Sequence, residues 1–172
     1  IARLVVKKLQ GWDVNVIVYD PYVAENDPDL VKYGCKKVEL NELLSTADIV
    51  SLHARSSGDK PLLGAEGLAL LKPSAYLINT ARSYLVDYDA LFEILRDGKI
   101  RGAALDVFES EPIKPDHKML TRDNVTLTNH RGGDTVNSYS DSPAMLLCEA
   151  KKLHEGDFDS VRFWKNKNET IK

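Results

Sequence analysis

Short runs rich in apolar residues alternate with amphipathic segments along most of this 172-residue chain. Apolar runs that end in a polar residue predict strands, and they fall at 14–19, 37–39, 48–53, 75–79, 102–106 and 125–128. Apolar residues at helical spacing predict helices, at 1–9, 29–33, 42–46, 65–71, 89–96 and 134–155. Asn41 is predicted to cap the third helix. Strands that alternate with helices at this rhythm predict an α/β fold with a mostly parallel sheet.

The pattern matches the doubly wound, Rossmann-type dinucleotide-binding fold, whose first strand leads into a Gly-x-Gly-x-x-Gly/Ala turn. In this chain Ile1-Ala2-Arg3-Leu4 matches only the end of that turn, with Ala2 in the third small-residue position. Since the first strand is central in such a sheet, we expect these residues to be part of a longer polypeptide. We predict an incomplete dinucleotide-binding domain over 1–134, with Ile1 beside the cofactor. Residues 135–172 are predicted as a C-terminal helix and tail that pack towards an absent substrate domain.

Asp20 ends the predicted strand at 14–19, where a ribose-binding acid belongs in this fold. A carboxylate there accepts hydrogen bonds from the ribose hydroxyls and repels a 2′-phosphate, and no Arg or Lys follows closely. Asp20 therefore predicts NAD rather than NADP as the cofactor. The alternative is an ordinary turn residue before Pro21.

Composition limits the class of protein, its partners and its cellular location. Apolar residues make up 43% and charged residues 28%, which is typical of a soluble globular protein. A net charge of −3 argues against a nucleic-acid surface, and no apolar stretch approaches the roughly 20 residues that span a bilayer. Cys35 and Cys148 lack metal-ligand spacing, so we expect reduced thiols, no metal site and a cytoplasmic location. Residues 54–61 are predicted as a polar loop, and the tail from Gly156 is charged.

Three polar residues follow three of the predicted strands. Arg82 comes after 75–79, Glu111 after 102–106 and His130 after 125–128. Ligands bind at the carboxyl ends of strands in open α/β sheets, so these side chains are expected to share one edge. A guanidinium, a carboxylate and an imidazole can together grip a substrate carboxylate and move a proton. The sequence therefore predicts an active site.

The segments that carry these residues resemble the D-isomer-specific 2-hydroxyacid dehydrogenases, in family order over residues 1–133. The matching segments are Leu71-Lys-Pro-Ser-Ala-Tyr-Leu-Ile-Asn-Thr-Ala-Arg82, Leu85-Val-Asp87, Gly102-Ala-Ala-Leu-Asp-Val-Phe108, Glu111-Pro112 and His130-Arg-Gly-Gly133. The resemblance implies an NAD-dependent oxidoreductase that interconverts a D-2-hydroxy acid and its 2-keto acid. It also implies a small-molecule substrate, no nucleic-acid or membrane partner, and a homodimer.

The resemblance also implies catalytic roles. Arg82 would hold the substrate carboxylate and polarise the reacting carbonyl. His130 would be the acid and base, and Glu111 would orient the imidazole and stabilise its charged form. The residues implied to contact the cofactor, besides Ile1 and Asp20, are Thr80, Ala81, Arg82, Asp106, His130, Arg131, Gly132 and Gly133.

Several positions depart from the family pattern and bear on the substrate. Ser83-Tyr84 stands where Gly usually follows the arginine, and Asn129 stands where proline usually precedes the histidine. Arg55 and Arg131 add cations that could favour an acidic or phosphorylated substrate. His53 could line the cofactor site without transferring a proton.

Other functions stay open at this point. An NAD-sensing, corepressor-like binding module of the same fold is the principal alternative, because such relatives can keep the same three residues. Formate dehydrogenase is disfavoured, since Gln is expected there at the position of Glu111. Phosphite oxidation in the same fold is not excluded. His117 and His154 are predicted to be surface residues.

Overall fold

The computed structural model describes residues 1–55 and 60–161, so the polar loop at 54–61 and the charged tail fall partly outside the described residues. The strands are β1 (Ile17–Val18), β2 (Lys36–Lys37), β3 (Ile49–Leu52), β4 (Tyr76–Asn79), β5 (Gly102–Leu105) and β6 (Val125–Leu127). The helices are α1 (Ala2–Leu9), α2 (Pro28–Lys32), α3 (Leu40–Thr46), α4 (Ala65–Leu68), α5 (Tyr88–Arg96) and α6 (Val136–His154). Two 3-10 turns lie at Ser83–Leu85 and Lys118–Thr121.

All described strand pairs are parallel, as predicted, but they form two sheets rather than one. Strands β3-β4-β5-β6 lie side by side in that order, while β1 pairs with β2 alone. The two sheets are separate because no described strand lies between β1 and β3 and pairs with both of them. The four-stranded sheet therefore carries one continuous carboxyl edge, after β3, β4, β5 and β6.

The core lies against the four-stranded sheet. Leu77 on β4 and Leu105 on β5 are buried together with Leu44 of α3, Leu68 of α4 and Leu91 of α5. Burying such side chains contributes roughly 1.5–3 kcal/mol each, before the entropy cost of ordering the chain. The helices between the strands thus hold the sheet in place and leave its carboxyl edge to the loops.

Strand β5 begins at a close approach that only glycine permits. A Cβ on Gly102 would lie 2.6 Å from the carbonyl oxygen of Asn124, which itself accepts a hydrogen bond from the Ala103 amide at 3.0 Å. Because β5 and β6 start so close together, their carboxyl ends also emerge side by side. This places the segments after both strands at the same edge.

Side chains cap the starts of α2, α5 and α6, and one predicted cap is wrong. Asp87 caps α5, because its side chain accepts a hydrogen bond from the Ala90 amide at 3.0 Å. Asn41 does not cap α3: the N-cap is Glu39, and no side chain caps the helix. Leu40 packs against the core, and the helix begins at Leu40, two residues earlier than predicted, with Leu40 on its inner face.

The chain divides into two compact units, residues 1–130 and 131–172. In the second unit α6 runs from Val136 to His154 and contains Pro143. The helix begins with a capping box between Thr135 and Ser138. No helix in the described ranges is long and apolar enough to cross a membrane. The predicted domain boundary at 134/135 lies near this division and stays a prediction.

Candidate active site

Arg82, Glu111 and His130 line one cavity in the first unit. They follow β4, β5 and β6, and because the carboxyl ends of these parallel strands lie at one edge of the four-stranded sheet, the three residues lie at that edge. The cavity has a volume of about 280 Å³, at the small end of ligand pockets. Its remaining lining residues are Ser83, Tyr84, Val107, Phe108 and Glu109.

Asn79 holds the turn that presents Arg82. Its side chain is 0% exposed, its Oδ1 accepts a hydrogen bond from the Ala81 amide at 3.1 Å, and its Nδ2 donates to the Arg82 carbonyl at 3.0 Å. The Asp106 amide donates to the Asn79 carbonyl at 3.0 Å, which ties the turn to β5. The sequence interpretation gave Asn79 no role. The available signal was a polar residue at the end of a buried apolar strand.

The Arg82 guanidinium is exposed beside this turn. Its Nη1 donates to the Ala81 carbonyl at 2.6 Å, which fixes the direction of the side chain. A guanidinium carries further N–H donors in a planar fork that matches a carboxylate. The arrangement can therefore hold an acid in a defined orientation.

Glu111 and His130 form a hydrogen-bonded pair. His130 Nδ1 and Glu111 Oε2 lie 2.6 Å apart, and Glu111 Oε1 accepts from the Phe108 amide at 2.9 Å. The bond to His130, and then the bond from Phe108, hold the pKa of Glu111 below its usual range. The carboxylate is thus ionised at neutral pH. With Nδ1 engaged by Glu111, Nε2 is the imidazole nitrogen left to act on a substrate.

The backbone of His130 is in the left-handed region, with φ at 56°. Residues other than glycine adopt this conformation uncommonly, although asparagine, aspartate and histidine do so more often than the rest, and such conformations cluster at functional sites. The geometry makes His130 a functional candidate independently of its chemistry.

The loop after β5 that carries Glu111 rests on a buried aromatic frame. The buried Tyr88 hydroxyl donates to the Val107 carbonyl, and burial raises the pKa of Tyr88, so the hydroxyl stays protonated as a donor. The Phe108 ring stands edge-on to Tyr88 at 6.4 Å and to His117 at 6.0 Å. These contacts position the loop.

His117 corrects one sequence interpretation, since it is partly buried rather than a plain surface residue. Its Nδ1 accepts a hydrogen bond from the Met119 amide at 3.2 Å, and its Nε2 lies 3.9 Å from Glu109 Oε2. The imidazole caps the turn Lys118–Thr121. Sequence reasoning missed this role because the contacts come from a loop without regular periodicity.

Three residues assigned to the cofactor lie at the same edge. Asp106 is 4% exposed and accepts a hydrogen bond from the Thr128 hydroxyl at 2.6 Å. Thr80 is exposed and Ala81 half-buried in the turn after β4. The structure therefore brings Thr80, Ala81 and Asp106 to the edge that carries Arg82.

His53 ends up half-buried after β3. Its Nε2 lies 3.0 Å from the Ser51 hydroxyl oxygen. Burial lowers the pKa of His53, so the neutral imidazole predominates at pH 7. A neutral, hydrogen-bonded ring agrees with a supporting role rather than proton transfer.

Two predicted cofactor residues do not follow a strand of the four-stranded sheet. Asp20 follows β1 in the two-stranded sheet, and its Oδ1 accepts a hydrogen bond from the Tyr22 amide at 2.8 Å. This is the turn role weighed as the alternative, and it occupies one of the two carboxylate oxygens. Ile1 is 89% exposed and immediately precedes α1. The cofactor roles of both residues stay predictions.

Arg131, Gly132 and Gly133 belong to the second unit. Arg131 Nη2 lies 3.2 Å from Asp134 Oδ2, so its charge is compensated locally. This ion pair weakens the idea that Arg131 serves an acidic substrate. The cofactor contacts implied for these residues stay predictions.

Comparison with known proteins decides the family. Residues 1–132 match the family described as "D-isomer specific 2-hydroxyacid dehydrogenase, NAD binding domain". The chain belongs to this family. The predicted family and the Rossmann-type fold are thereby confirmed, and NAD is confirmed as the cofactor of the family's domain.

Two curated relatives illustrate the range of the family. The chain is 38% identical to D-3-phosphoglycerate dehydrogenase of Methanocaldococcus jannaschii over 159 residues, covering 91% of this chain and 30% of that protein. It is 40% identical to glyoxylate reductase of Thermofilum pendens over 131 residues, covering 76% of this chain and 38% of that protein. The chain thus spans about a third of the length of these relatives.

A solved structure of a family member supports the same fold. The D-isomer specific 2-hydroxyacid dehydrogenase from Lactobacillus delbrueckii ssp. bulgaricus, in its NAD complexed form, superposes with a TM-score of 0.79 at 28% identity. The match covers 91% of this chain and 50% of that one.

Proposed function

We propose that this protein is an NAD-dependent dehydrogenase that interconverts a D-2-hydroxy acid and its 2-keto acid. The single observation that carries the proposal is the Glu111–His130 pair, 2.6 Å apart, in a cavity that Arg82 also lines. A cation for the substrate carboxylate and an ionised carboxylate behind an imidazole are the groups that this reaction requires. The relatives named as dehydrogenases and reductases support the same class.

Each side chain has one task in the proposed reaction. Arg82 holds the substrate carboxylate through its planar fork and turns the adjacent carbonyl towards His130. In reduction, His130 gives the proton on Nε2 to the carbonyl oxygen; in oxidation, Nε2 takes the proton from the hydroxyl. Glu111 stabilises the imidazolium that is present before reduction and after oxidation. Hydride transfer is the chemistry that NAD supplies when bound.

The residues at the sheet edge fit the nicotinamide end of the cofactor. Asp106 is a buried acceptor next to Thr128, and a carboxamide presents N–H donors that suit it. Thr80 and Ala81 offer a hydroxyl and backbone groups in the neighbouring turn. Asp20 would accept hydrogen bonds from the ribose through the oxygen that does not serve the Tyr22 amide.

The substrate is proposed only as a class, a small 2-keto acid and its 2-hydroxy counterpart. The relatives are named for phosphoglycerate and for glyoxylate, which share the carboxylate and the adjacent carbon but differ in the remaining group. A homodimer in the cytoplasm, with no nucleic-acid or membrane partner, completes the proposal.

Turnover by the full-length protein tests the proposal. NADH oxidation is followed at 340 nm against a panel of 2-keto acids, and at least one acid should be reduced. Arg82→Lys should raise KM for that acid and lower kcat, while NADH affinity changes little, because lysine lacks the planar fork.

Two results would contradict this function. One is a full-length protein that binds NADH but reduces no 2-keto acid, as the corepressor-like alternative expects. The other is an Arg82→Lys protein equal to the parent in both constants, which would remove the carboxylate clamp from the proposal.

A further inference from the structure

Tyr84 is an aromatic residue in the wall of the cavity, two residues beyond Arg82. It lies in the turn Ser83–Leu85, and the next residue, Leu85, is buried. The Leu63 amide donates to the Leu85 carbonyl at 2.9 Å, and this hydrogen bond holds the backbone of the turn. Tyr84 therefore stands on an anchored piece of backbone.

The Tyr84 side chain is 51% exposed but is held at its far end as well. Its hydroxyl donates to the carbonyl oxygen of Arg55 at 2.5 Å. Arg55 lies in the connection after β3, whereas Tyr84 lies in the connection after β4. The ring thus bridges two neighbouring strand-end connections instead of swinging freely in solvent.

This placement limits the space beside a clamped substrate. Tyr84 lines the same cavity as Arg82 and His130, so an acid held by Arg82 and turned towards His130 has its remaining group in a space that Tyr84 helps to bound. An unanchored ring could rotate away from a longer group. A ring tethered at its backbone and at its hydroxyl resists that movement.

We propose that Tyr84 is a specificity-determining residue that limits the length of the group attached to the keto carbon of the substrate. The ring supplies the wall and the hydroxyl bond to Arg55 keeps the wall in place. The inference rests on the proposed 2-keto acid reduction. Discrimination by one methylene in an apolar pocket is worth about 10- to 200-fold in kcat/KM, so one ring is sufficient to set the preference.

The test compares straight-chain 2-keto acids of increasing length, from glyoxylate to 2-oxohexanoate, in the full-length protein. Tyr84→Ala should raise kcat/KM for the longest acid relative to the best short acid by about tenfold or more. Tyr84→Phe keeps the ring but removes the tether, so its ratio should lie between those of the parent and Tyr84→Ala. Thermal melting checks that each variant is folded.

Tyr76→Ala is the matched control. Tyr76 is 45% exposed and lies at the start of β4, at the other end of that strand from the cavity. Its removal can lower stability but should leave the ratio between acids unchanged. A merely structural effect would change both alanine variants alike.

Three outcomes would overturn the inference. A Tyr84→Ala protein that changes kcat/KM for all acids by one common factor overturns it and leaves the proposed function intact. If Tyr76→Ala changes the ratio of kcat/KM between long and short acids as much as Tyr84→Ala does, the inference is again overturned and the proposed function stays intact. A parent protein that reduces no 2-keto acid overturns the proposed function and this inference together.

Discussion

The edge of the four-stranded sheet and the end of β1 carry the two ends of the proposed NAD site, and they are built differently. At the sheet edge, Asn79 fixes the Arg82 turn through two side-chain hydrogen bonds, and Glu111 uses both oxygens, on Phe108 and His130. At the end of β1, Asp20 serves the Tyr22 amide through one oxygen. The first region is preorganised by a network, and the second by a single turn.

The difference follows from what each end must do. Proton transfer and carboxylate binding need atoms placed within a fraction of an ångström, so a frame of hydrogen bonds contributes directly to rate. Discrimination between a ribose hydroxyl and a phosphate needs only a charge at the right distance. We therefore expect substitutions at the sheet edge to change rates strongly, and substitutions at Asp20 to change cofactor preference and binding with little effect on kcat.

The largest effect is expected from His130→Ala. Loss of the imidazole removes the acid and base, and kcat should fall by about 10²-fold or more, the usual scale of this catalysis. Steady-state reduction of the best 2-keto acid measures it, with His154→Ala as the control, because His154 lies near the end of α6 in the second unit. A kcat within a few-fold of the parent would show that the strained histidine is not the proton donor.

Asn79→Ala tests whether the frame, and not only the reacting residues, sets the rate. The substitution leaves the Ala81 amide and the Arg82 carbonyl without their partner, at a cost of about 1–3 kcal/mol in unfolding free energy. KM for the 2-keto acid should rise as the Arg82 turn loosens, and NADH affinity should fall as well, because Thr80 and Ala81 of the same turn are proposed to contact the cofactor. Denaturant unfolding measures the loss of stability, and steady-state kinetics measures the change of KM.

Asn79→Asp is the conservative variant for this test. It keeps an acceptor for the Ala81 amide but loses the donor to the Arg82 carbonyl, so its KM should lie between those of the parent and Asn79→Ala. Stability loss without any change of KM in either variant would reduce Asn79 to a purely structural residue.

Sequence reasoning was strongest where a residue directly follows a strand. Arg82 and His130 could be placed because strand ends converge at one edge in a parallel sheet. The roles of Asn79 and His117 were missed, since their hydrogen bonds to backbone groups leave no periodic signal. The start of α3 was misplaced, because the burial of Leu40 outweighed the capping preference of Asn41.

Glu111→Gln should change the pH dependence more than the maximum rate. Reduction requires a protonated imidazole, and an uncharged amide no longer stabilises that cation, so the pH profile of reduction should shift to lower pH. Glu93→Gln, which removes a carboxylate paired with Arg96 outside the cavity, is the control. An unchanged profile in Glu111→Gln would exclude Glu111 as the partner of the histidine.

The same variant gives a second readout in stability. Because the folded pKa of Glu111 is lowered, its ionised form stabilises the fold at neutral pH, and this contribution is lost as the pH falls through the lowered pKa. The difference in unfolding free energy between the parent and Glu111→Gln should therefore shrink towards acidic pH. A difference that is constant with pH would mean that the ionised Glu111 carboxylate does not contribute to stability.

The smallest effect on rate is expected at Asp20, where two roles must be separated. Asp20→Asn keeps an oxygen for the Tyr22 amide but removes the charge, so the turn should persist while the repulsion of a 2′-phosphate is lost. The preference of kcat/KM for NADH over NADPH should fall, with kcat for NADH nearly unchanged. Asp20→Ala removes the turn bond as well and should also weaken NADH binding. A parent protein that uses NADH and NADPH equally well would contradict the ribose role, and Asp20 would then act only in its turn.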